Sequence, residues 1–97
     1  MQPSFKGLRV NGGRLNSTLQ TTCSSWGAIP SSTGMRRLAL SQEDKAVRDW
    51  LVDECKALGC HITVDQMGNI FAIRPGTSKE RKPIGMGSHL DTQPAGA

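Results

Sequence analysis

Val47, Trp50, Leu51, Cys55 and Leu58 recur at steps of three and four, and this apolar stripe is the strongest constraint on the fold. That spacing puts them on one face of a helix over about residues 42–58. Ser41 suits the N-cap, with Asp44 standing where a capping box more often has Glu. Glu43 and Asp44 complement the positive end of the helix dipole, and Gly59 is the expected stop. Asp44 and Arg48 are spaced to pair across one turn. The stripe carries no chemistry; it is core, and the rest of the chain must cover it.

The remaining segments read as partners for that helix. Asn11 can cap a helix over about 12–25, with Leu15 and Leu19 on one face and Cys23 and Trp26 extending it. Gly27 to Gly34 is a Ser/Pro/Gly loop, a connector or a site of substrate contacts. At its end, Arg36 or Arg37 could clamp a substrate carboxylate. A solvated loop arginine is the plainer reading of Arg37. Ile62 and Val64 alternate with polar residues, Met67-Gly68-Asn69 turns the chain, and Ile70 to Arg74 forms the second strand of a hairpin. A polar loop, Pro75 to Pro83, leads into a third strand over 84–88. The expected fold is therefore α/β, with helices, a hairpin and a central strand in one domain over residues 1–97. Aromatics are only 4% of residues, so the core rests on aliphatics, Met and two Trp. A parallel strand also needs neighbours on both sides. Marginal stability is expected for the chain alone.

The chemistry gathers after the third strand, in Gly87-Ser88-His89-Leu90-Asp91-Thr92-Gln93-Pro94. Ligands of open α/β sheets bind beyond the carboxyl ends of strands, where His89 falls. A neutral imidazole is a good zinc ligand, and Asp91 is near enough to hold its other ring nitrogen. One His and one Asp do not complete a zinc site, and taken alone the tripeptide reads first as an ordinary polar loop after a strand. Gly85-x-Gly87 is not a dinucleotide fingerprint, because Leu90 occupies the third glycine position. Ser88, His89 and Asp91 are not a serine-hydrolase triad, since neighbouring strand side chains diverge.

This segment resembles the first metal-binding segment of amidohydrolases that act on N-carbamoyl compounds. The family includes β-ureidopropionase (β-alanine synthase), N-carbamoyl-L-amino acid hydrolase and allantoate amidohydrolase, related to aminoacylase and carboxypeptidase-like zinc hydrolases. Further matches follow in family order: Val10-Asn11-Gly12 with Arg14-Leu15; Arg37-Leu38-Ala39-Leu40-Ser41 with Glu43-Asp44-Lys45-Ala46 and Arg48; and Val64-Asp65 with Gly68-Asn69-Ile70-Phe71. The resemblance implies the N-terminal part of a zinc-hydrolase (phosphorylase/hydrolase-like) catalytic domain. It implies His89 as ligand to one of two divalent metal ions, zinc or else manganese or nickel. It implies Asp91 as the catalytic-site aspartate that holds the His89 ring. The substrate would be a small ureido or carbamoyl compound, and the whole protein a homodimer. The family pattern continues with a second glycine, where this chain has Ala97. A metal-bridging aspartate, paired glutamates and later histidines would lie beyond it. That departure leads us to expect a truncated or misjoined gene, or a pseudogene product.

Charge narrows the partners. The net charge is +4, and residues 1–42 carry no acidic residue. An acid-free, Ser/Thr-rich start has the composition of a mitochondrial transit peptide, but the family's first helix and loop is the preferred reading of it. The basic residues are scattered without aromatic stacking platforms, which argues against nucleic acid. No run is long enough to span a membrane, and a cytoplasmic location is the default. Cys23, Cys55 and Cys60 are an odd set without a zinc spacing, and His61 reads as a surface residue. Two classes of function stand against each other. One is a metal-dependent hydrolase of linear carbon–nitrogen bonds, with an acyl-amino-acid or peptide hydrolase as its variant. The other is a non-catalytic fragment or interaction module.

Overall fold

A computed structural model describes residues 7–94. The elements in chain order are α1 (Gly12–Ser25), α2 (Gln42–Ala57), β1 (His61–Val64) and β2 (Ile70–Ile73). The expectation attached to Ala97 lies outside the described residues. No helix among them is long and apolar enough to cross a membrane.

Both ends of α2 are set by local chemistry. The Ser41 hydroxyl accepts from the Asp44 backbone N–H at 3.1 Å, giving the expected N-cap. The reciprocal half of the capping box differs. The Asp44 carboxylate accepts from Leu40 N–H, one residue beyond the cap, at 3.0 Å. Leu40 has φ of 69°, which turns its N–H back toward the first helical turn. At the other end, Gly59 N–H reaches Lys56 O and Cys60 N–H reaches Cys55 O. With Gly59 at φ 84°, these two bonds form a Schellman motif. Leu58 belongs to that cap and is 63% exposed, so the core stripe stops at Cys55. α1 starts as expected, with the Asn11 side chain accepting from Arg14 N–H. None of its residues is buried.

β1 and β2 form an antiparallel hairpin in which Ile62 faces Ala72 and Val64 faces Ile70. Ile62 and Ile70 share one half-buried face, and α2 packs on both strands. The Asp65 carboxylate organises the turn. It accepts from the backbone N–H groups of Met67 and Asn69 and from the Asn69 amide. The expected Asp44–Arg48 pair does not form. Asp44 is occupied at Leu40, and the Arg48 guanidinium donates to Gly68 O at 2.6 Å, tying α2 to the turn. The fully buried apolar side chain among the described residues is Val47, and the rings of Trp26 and Trp50 meet at a tilt of 46° with centroids 5.8 Å apart.

The third strand is a correction. Residues 84–88 adopt no strand, and Ile84 and Met86 are 92% and 93% exposed. A strand exists only through a paired neighbour, and the sheet among the described residues has two strands, β1 and β2. The architecture is thus a small α/β unit of two helices and a hairpin.

Three outcomes follow for urea and acid unfolding of the chain. Val47→Ala should cost about 2 kcal/mol, from roughly 0.8 kcal/mol per lost methyl group plus a cavity. Ser41→Ala should cost about 1 kcal/mol through the lost cap. The Asp65 carboxyl is held below its ordinary value of 3.8, chiefly by the Asn69 side-chain and backbone donors. The folded turn therefore binds this proton more weakly than the unfolded chain does. Its contribution is complete above the unfolded value and is lost as pH falls through 3.8 toward the folded one. Asp65→Asn should flatten that part of the acid transition, read from the Met67 and Asn69 amide signals.

Candidate functional site

An open groove of about 470 Å³ lies between α2, the hairpin turn and residues 86–91. Asp44, Arg48, Asn69, Phe71, His89 and Asp91 are among the residues that line it. The two residues singled out by sequence, His89 and Asp91, therefore share one wall.

They are also in contact. His89 Nδ1 lies 2.8 Å from the backbone O of Asp91 and 3.2 Å from its Oδ1. Both neighbours only accept, so Nδ1 carries the ring proton and donates it. In the neutral ring, Nε2 is then left with its lone pair. The His89 side chain is 79% exposed and Asp91's 45%, so that lone pair is accessible. The carboxylate was expected to hold the ring, yet the shorter contact is to the carbonyl.

The segment is anchored by Arg37, which sequence reading placed in solvent. Arg37 is 7% exposed. Its Nε donates to Leu90 O at 2.8 Å, and its Nη1 donates to Thr22 O at 2.8 Å and Trp26 O at 2.9 Å. Its backbone N–H donates to Thr92 Oγ1 at 2.9 Å, and Thr92 N–H donates to Arg37 O at 2.7 Å. Thr92 Oγ1 in turn donates to Met35 O at 3.4 Å. Among the described residues, every hydrogen bond joining residues 84–94 to the earlier part of the chain ends on Met35 or Arg37. Arg37 forms no ion pair among the described residues; its buried charge is met by carbonyl dipoles. Thr22 belongs to the last turn of α1, whose carbonyls have no helical partner. α1 has no basic residue in that turn, and Arg37 supplies the missing cation from outside. The end of α1, without a basic residue, signals in the sequence a place for a cation but does not choose between Arg36 and Arg37.

Gly27 allows the approach. Its φ is 101°, and a Cβ there would lie 2.7 Å from Arg36 O. Arg36 N–H donates to Gly27 O at 2.7 Å, which brings the 35–37 backbone across the end of α1.

His89 fits a metal as one donor, with the correct nitrogen free. A zinc site takes three or four protein donors, and no three His, Cys, Asp or Glu side chains converge among the described residues. His61 stands exposed at the start of β1. Cys55 and Cys60 are half-buried free thiols at the end of α2, and burial, then Cys60 and Glu54, push the Cys55 thiol up from its ordinary value. A raised thiol is a poor nucleophile and a poor ligand at neutral pH.

The geometry predicts how the tautomer depends on Asp91. In Asp91→Ala the backbone carbonyl remains, so neutral His89 should keep its proton on Nδ1. Long-range proton–nitrogen spectra of the ring check this; a switch to Nε2–H would transfer that control to the carboxylate.

No protein-family model matches the chain. The N-carbamoyl-L-amino-acid amidohydrolase of Rhizobium meliloti is 36% identical over 88 residues, covering 91% of this chain and 21% of that protein. Among solved structures, a hydantoinase/carbamoylase family amidase from Burkholderia ambifaria aligns with a TM-score of 0.82 at 42% identity, covering 92% of this chain and 22% of its own. An amidase of the same family from Burkholderia multivorans gives 0.80 at 44% identity, covering 89% and 20%. The chain thus spans 21% of the length of that curated relative.

Proposed function

Since the chain belongs to the family of N-carbamoyl-L-amino-acid amidohydrolases and hydantoinase/carbamoylase amidases, we propose that it supplies one wall of the catalytic site of a metal-dependent hydrolase of linear, non-peptide carbon–nitrogen bonds. The substrates would be N-carbamoyl amino acids or similar small ureido compounds. His89 is the metal ligand of this wall, through Nε2, and Asp91 is the catalytic-site residue that orients its ring. The observation that carries the reading is the His89–Asp91 contact, which protonates Nδ1 and leaves Nε2 open on a groove. A ligand histidine commonly donates its other N–H to a carboxylate or carbonyl, and here both acceptors come from one residue.

The chemistry supplied by a pair of divalent ions in such a site is polarisation of the carbonyl and acidification of a water; zinc is the first choice for an imidazole donor, with manganese or nickel as variants. The residues of this chain position the donor and line the groove. Arg48 is engaged by Gly68 O, and Asp44 by Leu40 N–H, so both are fixed in place along the wall.

A second reading, a chain without turnover of its own, is favoured by the donor count. No group of three donors forms among the described residues, and residues 1–6 and 95–97 contain no His, Cys, Asp or Glu. The two readings agree if the wall acts only when joined to the rest of such a site.

A chimera tests this. Residues of this chain would replace the corresponding fifth of the Rhizobium meliloti relative (roughly its matched 21%). The chimera should hydrolyse N-carbamoyl-L-amino acids; His89→Ala should abolish turnover and lower metal content, and Asp91→Ala should cost about 10–100-fold. An active, fully metallated His89→Ala chimera overturns the assignment. The 97-residue chain alone should show no turnover and no stoichiometric zinc after dialysis.

A further inference from the structure

We propose that Arg37 is the positioning residue of the site, acting by locking the two peptide planes that flank Asp91. The proposal rests on the reading of His89 as a ligand and deepens it.

The plane between Leu90 and Asp91 carries Leu90 O, which accepts from Arg37 Nε at 2.8 Å. The plane between Asp91 and Thr92 carries Asp91 O and Thr92 N–H. Its N–H donates to Arg37 O at 2.7 Å, and its carbonyl accepts from His89 Nδ1 at 2.8 Å. A trans peptide is planar, with its N–H and C=O pointing in opposite directions. Fixing the N–H on Arg37 therefore aims the carbonyl at the imidazole. The side chain holds one plane and the backbone of the same residue holds the next. Rotation of either plane moves Asp91, the residue that supplies both acceptors to the ring.

Arg37 is itself immobile for independent reasons. Its guanidinium is anchored on Thr22 O and Trp26 O at the end of α1, and its backbone N–H on Thr92 Oγ1. The planar guanidinium spreads its donors in a fixed fork, which lets Nε face Leu90 while Nη1 faces α1. A lysine ammonium is a single point on a flexible stem and cannot reach both sides in one geometry. Charge alone therefore does not suffice for the positioning; the forked shape of Arg37 is needed as well. The neighbouring Arg36 is exposed and provides a matched control.

The test uses the ring nitrogens of the full 97-residue chain, labelled with nitrogen-15, at a single pH near 8.5, where an ordinary histidine is neutral. His61, exposed on β1, is the internal reference for an unrestrained ring. In the unsubstituted chain His89 should show the Nδ1–H pattern and differ from His61. In Arg37→Lys and Arg37→Gln, with α2 and hairpin amide signals unchanged, His89 should shift to the His61 pattern. Arg36→Gln should leave it where it was. Thr92→Val keeps the guanidinium and removes the hydroxyl that accepts from Arg37 N–H, and should give a smaller shift in the same direction. It also serves if the Arg37 variants fail to fold. A folded Arg37→Lys chain, or failing that a folded Thr92→Val chain, with the original His89 pattern overturns the proposal. So does an unsubstituted chain whose His89 already matches His61. The ligand reading is tested apart from this, by the metal content and turnover of the His89→Ala chimera, so its failure leaves the effect of Arg37 on the ring standing.

Discussion

The Arg37 guanidinium is a buried cation satisfied entirely by backbone carbonyls, and the geometry of the site depends on it. A buried charge is costly unless hydrogen-bonded. Here the end of α1 offers two acceptors at the negative pole of a helix, and Leu90 offers a third. No carboxylate is consumed in the process. That leaves Asp91 free for His89, where a salt bridge to Arg37 would have drawn it away. The positive φ of Gly27 belongs to the same device, because a side chain there would collide with the backbone that carries Arg37.

This polar framework matters more than usual because the apolar one is thin. Val47 is the fully buried apolar side chain of the described residues, while Leu15, Leu19, Phe71 and Ile73 are about half exposed or more. α2 and the hairpin are held by devices that need no large core: a Ser41 cap, a Schellman end, an Asp65 turn and the Arg48–Gly68 link. Charge-assisted hydrogen bonds are each worth roughly 1.5–3 kcal/mol, comparable to burying a single aliphatic side chain. Directional bonds can thus fix positions where packing contributes little. The same arithmetic explains why residues 84–88 stay irregular. They have no ladder partner, and exposure of Ile84 and Met86 leaves nothing to compensate the ordering of the backbone.

What could be read from sequence was what depends on near neighbours. The limits and caps of α2, the Asn11 start of α1 and the two strands came from spacings of two to four residues. The nearness of His89 and Asp91 came from a two-residue spacing. Arg37 could not be read this way, because its bonds to Leu90 and Thr92 span 53 and 55 residues. Nothing local separates it from Arg36. The third strand failed for the same reason: an alternating pattern can be read locally, but a ladder partner cannot. Asp44 shows a finer limit. Its role at the start of α2 was legible, but the left-handed turn at Leu40 made the donor to its carboxylate the N–H one residue upstream of the cap and removed it from Arg48.

The division of labour at His89 follows from using a carbonyl as the nearer acceptor. A carbonyl accepts a proton but cannot take one, so it selects the Nδ1–H tautomer without competing for the charge. The carboxylate, at 3.2 Å, adds negative potential beside the ring while keeping acceptor capacity for other partners. A ring held by carboxylate alone would depend on a side chain with two free torsions. A ring held by a peptide plane depends on backbone, and here that backbone is pinned by Arg37 on both sides of Asp91. The precision of the imidazole is therefore inherited from the end of α1, through one guanidinium, rather than from the groove it faces.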